Sequence, residues 1–158
     1  MSKSVPPRWD MSNVYPGLDS PQPAADVELW KTMISDSEKR ISELEPLDAS
    51  SDAAQVGKKV HELLSGLNEM LLLGHTLGAY INSFVSTDSF NTFATRKESE
   101  FEQISVQASK LMTRVCAWIG KIVPLLPQIT TEPGPARDHA FWLNEAADQS
   151  KYMMSQAE

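Results

Sequence analysis

Between Asp52 and Val85 the chain carries an apolar stripe at helical spacing with no proline to interrupt it: Val56, Val60, Leu63, Leu67, Met70, Leu71, Leu77, Ile81 and Phe84. Steps of three and four place these residues on one side of an α-helix. A helix of about 34 residues spans roughly 50 Å, so its stripe needs partners of similar length. The expectation is an all-α fold in which this second helix, about 52–85, is the longest element. In its middle the apolar character spreads to Leu64, Leu72, Leu73 and Tyr80, which predicts burial on most sides there. Gly74 and Gly78 lie one turn apart. Each costs roughly 1 kcal/mol of helix propensity relative to Ala, a loss tolerable where a neighbouring helix comes close. The pair reads as such a notch.

Partners are present on both sides. Val27, Trp30, Ile34, Ile41 and Leu44 form a stripe on a first helix, about 20–45. Ser20 is its N-cap, Pro21 suits its first position, and Pro46 ends it. Phe90, Phe93, Phe101, Ile104, Ala108, Leu111, Val115, Ile119 and Ile122 form a third stripe, about 89–122, closed by Pro124 and Pro127. Residues 123–138, with Pro133-Gly134-Pro135 at their centre, read as a connection. A fourth helix follows, about 137–155, carrying Phe141, Leu143, Ala147, Tyr152 and Met154. An antiparallel bundle of about four helices, two of them long, is the simplest architecture. Residues 24–158 make up the bundle. Residues 1–23, rich in proline but carrying Trp9, Met11 and Tyr15, form an N-terminal arm that packs on it.

Charge narrows the partners. The formal net charge is -7, and the densest charged cluster is acidic, Glu98, Glu100 and Glu102. Nucleic acid and anionic membranes select basic patches, so neither is an expected partner. No stretch reaches the roughly 18 apolar residues of a membrane span, and residues 1–8 hold no apolar core of a secretory signal. A single cysteine, Cys116, forms no internal disulfide and fits a reducing cytoplasm.

Catalytic constellations are sought and not found. His61-Glu62-Leu63-Leu64-Ser65 approaches a zinc-peptidase helix motif, but that motif needs a second His one turn on, where Ser65 stands. The reading is a solvent-facing His–Glu pair beside the Leu63/Leu67 stripe. His75, amid apolar residues near the glycine notch, reads as a core histidine, and His139 as structural. Cys116 reads as a small buried residue rather than a nucleophile. No catalytic or metal-ligating residue is assigned, and the chain alone is expected to be inactive.

Arg8-Trp9-Asp10-Met11-Ser12-Asn13-Val14-Tyr15 resembles the opening phrase of oligoendopeptidase F-type zinc peptidases, and the helix order that follows is similar. Ser86-Thr87-Asp88 is similar to that family's turn between two of its helices, and His139 through Glu158 resembles the segment leading into its catalytic part. The resemblance implies a non-catalytic, N-terminal helical domain forming part of the wall of a peptide channel. Zinc, held by a downstream His-Glu-x-x-His helix and a further Glu, would belong to a catalytic domain this sequence does not contain. Arg8, Trp9, Asp10 and Tyr15 would dock the arm. Two situations fit: a piece of a longer peptidase, or a stand-alone interaction module binding a peptide, a protein or itself. The stop at Gln156-Ala157-Glu158, with no capping glycine or polar tail, favours the first. In that case the partner is the remainder of the peptidase or a second copy, with short peptides entering only in the full-length context. Trp118, Trp142, Met153 and Met154, off the main stripes, would form the partner-facing surface.

Overall fold

The computed structural model describes residues 10–153. Its three long helices are α1 (Pro21–Leu44), α2 (Ala53–Thr87) and α3 (Thr92–Lys121). Capping explains where they begin. Asp52 accepts a hydrogen bond from Gln55 N at 2.9 Å, and Asn91 accepts one from Ala94 N at 3.0 Å. Ser20 is extended and precedes Pro21, but its hydroxyl donates to Gly17 O (2.7 Å) rather than capping the helix. Because the cap of α3 is Asn91, Phe90 is left in the turn before it and stands 91% exposed. The expected inward role of Phe90 is corrected by that later start.

The three helices pack on one another, and cross-contacts give their directions. Trp30 reaches Met70 and Arg40 reaches Glu62, so α1 and α2 are antiparallel. Asn82 bonds Glu98, and Phe101 covers Gly78, so α2 and α3 are antiparallel as well. An all-α bundle is the result, with a core that runs from Trp30 and Leu77 to Ile41, Val56 and Trp118.

The glycine notch is occupied by rings. A Cβ added at Gly74 would lie 2.6 Å from Trp30 Cζ2, too near for any real side chain. The Trp30 indole sits there, 4% exposed, and donates to Met70 O at 2.9 Å. Phe101 stacks on it (centroids 4.8 Å apart, planes at 12°) and lies over Gly78. Burying the indole contributes about 1.5–3 kcal/mol, and the stacked geometry adds about 0.5–1.5 kcal/mol. The expectation of burial on most sides of α2 holds in part: Leu64 and Tyr80 are buried and Leu73 is half-buried. Met70 is fully buried, but Leu72 is 71% exposed, because α1 and α3 cover only part of the helix circumference.

Beyond Lys121 the chain departs most from what its sequence suggests. In place of a bare connection, a 3₁₀ turn (Val123–Leu125) leads into α4 (Leu126–Ile129). In place of one helix over 137–155 there are α5 (Pro135–Asp138) and α6 (Ala140–Ser150). Gly134, at φ 139°, makes the turn before α5 in a conformation only glycine adopts readily. This leg climbs α2: Ile129 packs on Gly57, Gly134 on His61, and His139 meets Asn68. The chain then reverses, and α6 descends along α3 until Ser150 rests on Gly120. Leu126, Ile129, Ala136 and Leu143 are buried by this path. Phe141 and Tyr152, expected in the inward stripe, are 80% and 88% exposed; the face α6 buries is Leu143, Ala146 and Ala147.

Candidate functional site

Of the four residues expected to dock the arm, Arg8 and Trp9 lie outside the described residues. Asp10 and Tyr15 act separately. Asp10 is exposed, and its Oδ1 accepts from Ser12 N at 2.9 Å, pinning the turn that Val14 N closes onto Met11 O. That backbone hydrogen bond holds the Asp10 carboxyl below the usual carboxylate range. Tyr15 is the anchor and is buried. Its ring meets Tyr80 edge to face at 4.8 Å, and its hydroxyl donates to Asp26 Oδ2 at 2.7 Å. Tyr80 in turn donates to Tyr15 O at 3.3 Å and meets Phe84 edge to face. Burial, then the bond to Asp26, push the Tyr15 hydroxyl well above its ordinary range. It stays protonated and structural. With Leu18 also buried, residues 15–18 are clamped onto α1 and α2.

The expected partner-facing residues scatter. Trp118 is fully buried, which corrects its assignment to an outer surface: the loop after α1 folds across it, and Leu47 O accepts from its indole N–H at 3.1 Å. Trp142 is half-buried against the core, Met153 is half-buried, and Met154 lies outside the described residues. The most exposed large apolar side chains among the described residues are instead Leu72, Phe90, Phe141 and Tyr152. Sequence spacing assigns Leu72 and these three aromatics inward; for Phe141 and Tyr152 the signal against it is the small Ala146–Ala147 face of α6, which a helix presents where it packs closely.

The histidines stay apart in role. His61 is half-buried against the backbone of Gly134 rather than facing solvent freely. Ser65, standing where a second zinc-binding His would be, donates its hydroxyl to His61 O at 3.0 Å. His75 is exposed, correcting its placement in the core; Trp30 fills the notch from the other side of α2. His139, half-buried, has its Nε2 2.8 Å from Asn68 Nδ2. Cys116 is half-buried, and desolvation raises its thiol above the ordinary range, the reverse of what a nucleophile needs. Among the described residues no group of three or more His, Cys, Asp or Glu is placed to hold a metal ion. None of the described helices is long and apolar enough to cross a membrane.

No protein-family model matches this chain, and no curated protein or solved structure matches it either.

Proposed function

We propose that this chain is the N-terminal, non-catalytic helical domain of an oligoendopeptidase F-like zinc metallopeptidase, forming part of the wall of its peptide channel. The observation that carries the reading is the arm. Asp10 and Tyr15 belong to the phrase that resembles the family's opening, and each has a defined structural role. Asp10 pins the turn, and Tyr15 bridges Asp26 and Tyr80. Tyr15 alone ties the arm to both α1 and α2, while Asp10 shapes the arm's own turn, which supports a docking role for this phrase. The described residues do not fit zinc: His61 packs on Gly134, and Ser65 turns back onto the helix backbone. The metal and the water it activates would reside in a separate catalytic part, and these residues carry no catalytic step. A reducing cytoplasm is the proposed location, resting on the lone Cys116.

A second reading is favoured by one observation. Trp118 is buried and Trp142 half-buried, so two of the side chains expected to meet a catalytic half are already covered. On this reading the chain is a stand-alone interaction module, binding a peptide, a protein or itself.

Intact mass and zinc content of the protein isolated from its native cells decide between them. One zinc per chain, in a polypeptide well above 17.5 kDa or in a stable complex with a catalytic subunit, is the result the first reading expects. A zinc-free species of that mass with no such subunit would leave the second reading.

A further inference from the structure

We draw no further inference here: the strongest candidate, the apolar groove between the arm and the C-terminal end of α2, lined by Met11, Tyr15, Tyr80 and Phe84, belongs to the arm's own seat, and nothing in the structure shows what covers its open side.

Discussion

The two halves of α2 are packed by different means. Around Gly74 and Gly78, flat rings lie directly on helix backbone, and Trp30 and Phe101 stack above them. From Gly57 to Asn68 the same helix is covered by the climbing leg after α3, whose branched side chains Leu126 and Ile129 fill the space. Around that lower end, side chains also reach loop carbonyls: Trp118 bonds Leu47 O, and Lys121 bonds Glu45 O at 3.3 Å. The upper seam depends on shape and has little room to adjust. The lower one is spread over several short elements that can shift. A mutation of given size should therefore cost more above than below.

The largest effect expected is at Trp30. Trp30→Ala removes the indole, its stacking on Phe101 and its bond to Met70 O, and should lower stability by about 3–5 kcal/mol. Leu126→Ala below should fall near the low end of the Leu→Ala range, about 2–3 kcal/mol, since short helices can close over the gap. Urea unfolding of both variants measures the difference directly. Equal losses would erase the contrast between the halves.

The glycines give a finer comparison. Gly74→Ala gains roughly 1 kcal/mol of helix propensity but drives a methyl into Trp30, and a net loss of about 1–3 kcal/mol is expected. Gly78→Ala meets only the edge of half-buried Phe101, at 3.1 Å, and should be within about 0.5 kcal/mol of the parent. Thermal unfolding of the pair checks this, and a stabilised Gly74→Ala would mean the indole is not seated as described.

Tyr15→Phe keeps the ring on Tyr80 and deletes the donor to Asp26, for an expected loss of about 0.5–1.5 kcal/mol. Hydrogen exchange should then rise in residues 11–20 before it rises in the helices. An arm that exchanges no faster in the variant would show that the ring alone holds it.

Smallest is the pH response of the Glu45–Arg114 pair, 3.0 Å apart at the lower end. The hydrogen bond from Arg114 holds the Glu45 carboxyl below its ordinary 4.5. A depressed folded-state value means the pair stabilises the fold above that pH and loses its contribution as the pH falls through the folded value. Both side chains are more than a third exposed, so screening keeps the effect under about 1 kcal/mol. Glu45→Gln should flatten the acid limb of stability by no more than that, and less at high salt.

How much was legible follows from these same residues. Long stripes gave three helices to within a few residues, because periodicity over six or more turns outweighs local exceptions. The glycine pair was legible as a close approach, since two glycines one turn apart inside a strong helix have few other uses. Residues 123–138 were not: Pro124, Pro127, Pro133 and Pro135 read as breakers, yet each stands at or near the first turn of a short helical segment, where a missing N–H costs nothing. His75 was misplaced because its apolar neighbours in sequence point elsewhere around the helix.

The proposed function predicts that this chain by itself hydrolyses no peptide. The direct measurement is cleavage of short peptides by the purified chain with one equivalent of zinc, before and after chelation. No turnover above the protein-free rate and no stoichiometric zinc are expected. Chelator-sensitive cleavage proportional to protein concentration, abolished by His61→Ala, would contradict it.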